Sequence, residues 1–290
     1  MKFGNLELTI IRECEFKLDA GAMFGVVPKT LWSKTTIPDD LNRINLACNL
    51  LLIESPEFKI LIETGMGPRW TTAESQRYQI KTLVNWENIL APIGLTHSDI
   101  DAVIISHLHF DHMGGAVSLI DNELKPSFPN AKYFIQAGEW QDAHSPNARA
   151  KASYRLDDFE PIKQYGLLEL VNGECEIYPG IKLHLTGGHT KSHQVISFTS
   201  QGSTGIYLAD IMPTANHVNP AWVMGYDHYP LTSCDYKNEI LNKASQHNYL
   251  VVFDHEINTP WGHISLNDQK RFEFKPLDKS SLEPRIFKNN

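Results

Sequence analysis

The chain has 290 residues, 42% hydrophobic and 21% charged, which is the make-up of an ordinary globular protein with no fibrous or low-complexity bias. A formal net charge of -8 offers no general field for nucleic acid, so a broad phosphate-tracking surface is not expected and only a local basic patch stays open. No stretch approaches the roughly 18 apolar residues of a membrane span, and Met1 to Asn5 lead into no apolar core of signal-peptide length, so the cytoplasm is the expected location. Cys14, Cys48, Cys175 and Cys234 are scattered without a C-x-x-C pair and read as thiols in a reducing compartment.

In chain order, Asn5 to Ile11 alternates in places and reads as a half-buried strand. Residues 19–44 are rich in Gly, Pro, Asp and Thr and read as a long loop, with Phe24, Leu31 and Trp32 as isolated large apolar groups. Asn45 to Ile53 and Phe58 to Ile62 form a hairpin across Glu54-Ser55-Pro56-Glu57. Residues 73–92 carry helical spacing through Ile80, Leu83, Val84, Ile89 and Leu90. Thr96 and Asp99 have the spacing of a helix cap. A strand over Ala102 to Ile105 follows, and Ala116 to Ile120 reads as a helix. Ala131 to Ile135 is a strand, and residues 137–158 read as one or two short surface helices. Leu167 to Val171, Glu174 to Ile177 and Ile181 to Thr186 are short strands with turn signals at Asn172-Gly173 and Pro179-Gly180. Val195 to Thr199 and Gly205 to Ala209 make a further hairpin. Residues 211–231 read as irregular, Ser233 to Gln246 as a helix, and Tyr249 to Phe253 as a last strand. No linker divides the chain, so residues 1–290 are read as one domain.

The chemistry concentrates in Ser106-His107-Leu108-His109-Phe110-Asp111-His112, directly after a strand. Imidazole nitrogens and carboxylate oxygens are ligands for a borderline divalent cation such as zinc. His107 and His109 are two apart and point the same way on an extended backbone. Asp111 and His112 are adjacent and need not serve the same ion, which suggests two cations side by side. Gly114-Gly115 beside the cluster lets the backbone approach closely. His189, Asp210 and His255 each sit at the end of a predicted strand, where loops of one sheet edge gather distant residues. Asp227 competes less well with Asp210. His193, four residues after His189, reads as a residue supporting the site or lining its wall. His144, His184, His217 and His228 take no role, and His247 and His263 are less well placed than His255.

His107-x-His109-x-Asp111-His112 followed by His189, Asp210 and His255, in that order, resembles the metallo-β-lactamase superfamily of binuclear metallohydrolases, from about residue 45 to residue 256. The resemblance implies an α/β (α+β) fold, a four-layer αβ/βα sandwich with the site in the cleft between two sheets. It implies that His107, His109 and His189 hold one metal, that Asp111, His112 and His255 hold the other, and that Asp210 bridges both. The ions implied are Zn2+, with Mn2+ or Fe2+ as alternatives, and a hydroxide between them is the implied nucleophile, with Asp111 orienting it or passing a proton. Glu63-Thr64-Gly65 stands where the family usually has Asp-Thr-Gly, which puts the support geometry of that carboxylate in question.

Within the family, Asp210 stands where the best-known β-lactamases carry Cys. Only 45 positions separate Asp210 from His255, too few for the inserted domain of RNA-processing members. Only 35 residues follow His255, too few for the helical domain of glyoxalase II, and His109 stands where flavodiiron members have Glu. The pattern is closest to the lactonase and organophosphate-hydrolase branch. The expectation is a hydrolase attacking a carbonyl or phosphoryl ester of a small molecule. A nuclease, a β-lactamase-like side reaction and a non-hydrolytic iron protein are the alternatives. Phe24, Leu31, Trp32, Trp222, Met224, Tyr226 and Tyr229, from the segments 19–44 and 211–231, read equally as a wall over the metals or as core and homodimer contacts. Ile211-Met212-Pro213-Thr214 follows the bridging Asp where lactonases of this branch often have Tyr, which favours a broader ester or phosphotriester hydrolase.

Overall fold

A computed structural model describes residues 1–81 and 85–277. Its first half runs β1 (Lys2–Phe3), β2 (Leu6–Asp19), α1 (Ala20–Phe24), α2 (Lys29–Trp32), β3 (Arg43–Glu54), β4 (Lys59–Ile62), α3 (Thr72–Tyr78) and α4 (Trp86–Leu90). There follow β5 (Ala102–Ile104), α5 (Phe110–Met113), β6 (Val117–Ile120), β7 (Glu123–Pro126), β8 (Lys132–Gln136), α6 (Ala137–His144), α7 (Glu160–Gln164) and β9 (Leu168–Val171). The second half is β10 (Cys175–Tyr178), β11 (Ile181–Leu185), β12 (Gln194–Ser200), β13 (Ser203–Tyr207), α8 (Pro230–His247), β14 (Leu250–Val252), β15 (Trp261–Leu266) and β16 (Phe272–Pro276).

Among the described residues these strands make two seven-stranded sheets, ordered β1-β2-β3-β4-β5-β8-β9 and β10-β11-β12-β13-β14-β15-β16. Each sheet begins with antiparallel hairpins and then gains a parallel neighbour: β4 beside β5, and β13 beside β14. The sheets pack face to face through Leu51, Ile53, Ile60, Ile62 and Ile104 on one side and Leu183, Ile196, Phe198, Tyr207, Leu250 and Val252 on the other. Alternate residues point outward. Leu50, Leu52, Leu61 and Val103 lie under Trp86, Leu90, Trp140 and Ile162. Val195, Ile206 and Val251 lie under Ile240, Leu241 and Ala244 of α8. The layers are helix, sheet, sheet, helix. Strands covered on both faces need no polar side, which is why Leu50 to Ile53 reads as an unbroken apolar run. Each fully buried Leu or Ile contributes roughly 1.5–3 kcal/mol, so this central contact is the main force joining the sheets.

Several local expectations are corrected. Of Ala116 to Ile120, only Ala116 is helical, ending a 3-10 turn at Gly114–Ala116; Val117–Ile120 pairs with Glu123–Pro126 across Asp121 and Asn122, both at positive φ (53° and 62°), the backbone of a tight hairpin turn. The first strand does not stop at Ile11. It continues past an irregularity at Glu13 to Asp19, because Cys14 and Phe16 remain buried against β3. Residues 19–44 contain α1 and α2, and Phe24 and Trp32 are stacked in the core with ring centroids 5.2 Å apart. Residues 73–92 form two short helices, with Leu83 and Val84 outside the described residues. The helix at 137–144 lies at the surface, with Gln141 and His144 exposed, and buries Glu139, Trp140 and Ala143 on its inner face. The Asn172-Gly173 turn carries the chain from the first sheet to the second and closes no hairpin. No helix among the described residues is long and apolar enough to cross a membrane.

Candidate metal centre

The parallel pairs set the site. Ile62 is level with Ile104 in one sheet, and Tyr207 with Val252 in the other, so the residues beyond all four strand ends enter the same cleft. After β4 comes Glu63, after β5 the run His107 to His112, after β13 Asp210, and after β14 Asp254 and His255. The β11–β12 loop adds His189. Gly114 and Gly115 let the histidine-bearing loop lie against residues 64–66. A Cβ on Gly115 would fall 2.1 Å from the Thr64 carbonyl oxygen, and one on Gly114 2.2 Å from that of Met66.

All seven side chains singled out from sequence meet there, in two buried groups: His107, His109, His189 and Asp210, and Asp111, His112 and His255. Within the first, His109 Nδ1 lies 2.9 Å from His107 Nε2 and 3.1 Å from His189 Nε2. Within the second, Asp111 lies 3.8 Å from His112 Nε2 and 3.7 Å from His255 Nε2. Asp210 stands between the groups, with Oδ2 3.2 Å from His189 Nε2 and 3.5 Å from His112 Nε2, and Oδ1 3.1 Å from His255 Nε2.

Ligand atoms about 2.0–2.1 Å from a tetrahedral ion sit roughly 3.3 Å from one another, so these spacings suit a zinc-sized cation in each group. The outer ring nitrogens agree. His189 Nδ1 is 3.0 Å from Asp227 Oδ1, His255 Nδ1 donates to the Ala47 carbonyl at 2.8 Å, and His107 Nδ1 is 2.9 Å from Ser106 Oγ. His112 Nδ1 lies 3.0 Å from Asp254 Oδ2 without a hydrogen bond between them, and His109 Nε2 is buried without a partner, so the rings held by an outer nitrogen are those of His107, His189 and His255. A ring held by its outer N–H turns its other lone pair inward, as metal-ligating histidines do. Asp210 Oδ1 and the Nε2 atoms of His112 and His255 are buried without hydrogen-bond partners. Orphaned buried polar atoms are costly, and a cation removes that cost.

The charges point the same way. Burial, and then the neighbouring imidazoles, push His107 and His109 well below the usual histidine range, toward the neutral form that binds metal. Burial opposes charge on His255, yet Asp254 and Asp210 push it up to about 10. Burial also opposes ionisation of Asp210, but His189, His112 and His255 hold it well below the usual carboxylate range. A site so rich in buried carboxylates calls for positive charge.

His193 belongs to neither group. Its ring is 5.2 Å from that of His107, its Nδ1 is 2.8 Å from Thr186 Oγ1, and its Nε2 is buried without a partner. Glu63 Oε1 accepts the Ser106 N–H at 2.9 Å and lies 3.7 Å from His112 Nδ1. The closer carboxylate on that ring is Asp254, which sequence reasoning passed over although it adjoins His255. By spacing Asp227 is only a weaker rival to Asp210, and its place behind His189 depends on a turn that spacing does not reveal. Glu139 was missed altogether. Its buried carboxylate accepts from Leu108 N (3.1 Å), Tyr154 Oη (2.9 Å) and Thr190 Oγ1 (2.6 Å), tying together the loops that carry His107, His109 and His189. Asp227→Ala is expected to weaken zinc binding roughly 10–100-fold in a chelator competition. Affinity equal to wild type would show that Asp227 does not orient His189.

A cavity of about 370 Å³ opens over the two groups. Leu18, Met23, Tyr78, Phe110, Met224 and Tyr226 wall it, with Arg149 and His228 at its polar side. Of the seven apolar residues proposed as a wall, Met224 and Tyr226 line it. Phe24 and Trp32 are core, Trp222 packs edge-on to Phe24, Leu31 is exposed, and Tyr229 lines a neighbouring recess of about 230 Å³.

Two sheets back to back, with paired His/Asp groups where their parallel strands end, define a metal-dependent hydrolase. The chain belongs to the metallo-beta-lactamase superfamily, whose family model matches residues 43–255. It is 29% identical over 239 residues to an N-acyl homoserine lactonase of a Bacillus species, covering 78% of this chain and 86% of that one. A probable metal-dependent hydrolase from Staphylococcus aureus has the same fold, with TM-score 0.87, 31% identity, and 95% and 99% of the two chains covered. A dizinc quorum-quenching lactonase, AidC, shares the fold with TM-score 0.77 at 24% identity, over 96% of each chain.

Proposed function

We propose that the protein hydrolyses the lactone or ester bond of a small molecule with an aliphatic part, using two divalent cations, zinc in the first place. His107, His109 and His189 would hold one, Asp111, His112 and His255 the other, and Asp210 would be shared. The observation that carries this reading is Asp210, whose two oxygens face ligand nitrogens of both groups at 3.2 Å and 3.1 Å. When bound, such a pair supplies Lewis acidity and a water whose proton is lost near neutral pH.

The chain's own residues do the rest. Leu18, Met23, Phe110 and Met224 receive the aliphatic part and exclude water from one side of the cavity. Asp111 orients the attacking water or passes a proton to the leaving oxygen. His193 holds the wall behind His107 and His189. The Tyr absent at positions 211–214 has a counterpart later in the same segment: Tyr226 lines the cavity together with Asp111 and Asp210, where its phenol can donate to the carbonyl under attack. That placement, together with the lactonase relatives, supports lactones over phosphotriesters.

The test is a screen of zinc-, manganese- and iron-loaded protein against N-acyl homoserine lactones, aryl esters, a phosphotriester, a β-lactam and a phosphodiester. Turnover is expected on the lactones first and the aryl esters second. Turnover confined to the phosphodiester would replace this reading with that of a nuclease.

A further inference from the structure

Arg149 is the cavity-lining side chain that carries a permanent positive charge. It belongs to an exposed loop, yet it is held from both ends. Asn147 Oδ1 accepts its backbone N–H at 2.9 Å and that of Ala150 at 3.0 Å, which fixes the turn beneath it. At its tip, Nη2 donates to the carbonyl oxygen of Gly225 and to that of Asp227. Those acceptors are anchored in turn: Gly225 N–H donates to the Ala22 carbonyl at 2.7 Å, and the Asp227 side chain holds His189. A guanidinium has five N–H donors in a planar fork. Two hydrogen bonds from Nη2 leave its other donors with no protein acceptor among the described residues.

We propose that Arg149 binds an oxyanion, a carboxylate or phosphate, that the substrate carries away from the bond being cut. This deepens the hydrolase reading and rests on it. Three observations carry it. The guanidinium is preorganised, so little side-chain entropy is lost when it pairs. It lies on the same cavity as the metal groups, so one small molecule can touch both. Among the described residues lining the cavity it is the one Lys or Arg, so away from the metal groups it offers the permanent positive charge that an anion would meet. The neighbouring recess, shared through His228 and lined by Lys191, Asn147 and Tyr229, leaves room for a hydrophilic end to extend.

The test compares binding of two probes to zinc-loaded protein by calorimetry: glutarate, with one carboxylate for the cations and one for Arg149, and monomethyl glutarate, which lacks the second. Wild type is expected to favour glutarate by about tenfold, the worth of one charge-assisted hydrogen-bonded contact. Arg149→Met is expected to bring the preference to within about twofold, and Arg149→Lys to leave an intermediate value, with metal content unchanged in both. An unchanged preference in Arg149→Met overturns the proposal. So does an equal loss for both probes, which would reduce Arg149 to a clamp on residues 225–227. The 4-nitrophenyl monoester of glutaric acid and its methyl ester then separate the two readings. If wild type hydrolyses neither, the hydrolase assignment fails, while the binding preference still decides the role of Arg149. Inorganic phosphate competing with glutarate only in the presence of Arg149 marks a site that also accepts phosphate.

Discussion

Purified Asp210→Ala protein is expected to lose most of both zinc equivalents, and its turnover is expected to fall by about 10³-fold or more. Asp210 is the side chain whose oxygens approach nitrogens of both groups: His189 at 3.2 Å, His112 at 3.5 Å and His255 at 3.1 Å. Removing any one histidine weakens one group, whereas removing Asp210 weakens both and takes away negative charge that the cations neutralise. The metal-free protein should be affected too: His189, His112 and His255 hold Asp210 well below the usual carboxylate range, so its removal leaves buried imidazoles without their counter-charge and should lower the stability of the apo form near neutral pH. Elemental analysis, turnover and urea unfolding of the chelated protein check the three parts. Two zinc equivalents with full turnover in Asp210→Ala would end the binuclear reading.

Asn49→Ala should cost about 3 kcal/mol of stability in the metal-free protein, as two or more buried carbonyls lose their donor. Asn49 is fully buried on β3. Its Nδ2 donates to the carbonyls of Asp254 (2.6 Å) and Glu256 (2.8 Å), and its Oδ1 accepts from Arg12 Nε at 3.2 Å. Its backbone carbonyl accepts from Tyr207 Oη at 2.8 Å. One amide therefore pins the segment that carries Asp254 and His255, in the second sheet, onto the first sheet. Its loss should also loosen the Asp111, His112 and His255 group more than the other, which zinc titration resolves as weakening of one equivalent before the second. A change under about 1 kcal/mol in urea unfolding would show that backbone pairing alone joins the segments.

The candidate ligand set is legible in the sequence because its chemistry is local. Three histidines and an aspartate within six positions, followed by Gly-Gly, leave little room for another meaning, and His189, Asp210 and His255 each follow a run with strand character. What supports these ligands was not readable. Asp227 behind His189, Asp254 behind His112 and Glu139 between two loops are single carboxylates, and a lone carboxylate in a sequence is usually a solvated one. Only burial and a partner distinguish them. The sequence leaves open which of the large apolar residues wall the cavity and which are core, for a related reason. Phe24 and Trp32 have the composition of a lid, but a large ring near a long strand is as readily drawn into the core, and both went there.

The sequence by itself carried a dense metal-binding motif and strand runs apolar on both faces, and the layer order came with the family resemblance that the motif brings. Strand runs apolar on both faces demand cover on both faces, and a cluster at a strand end demands a cleft. Tertiary structure alone decided which turns close hairpins and which cross between sheets. The Asn-Gly at 172–173 and the turn at 179–180 carry the same local signal, yet only the second joins hydrogen-bonded neighbours. Pairing depends on where the partner strand lies, not on the turn. Tertiary structure also decided that Asp210 faces both metal groups and that Arg149 reaches across to residues 225–227. Those contacts join residues far apart in the chain, and their geometry exists only once the edges of the two sheets are brought level.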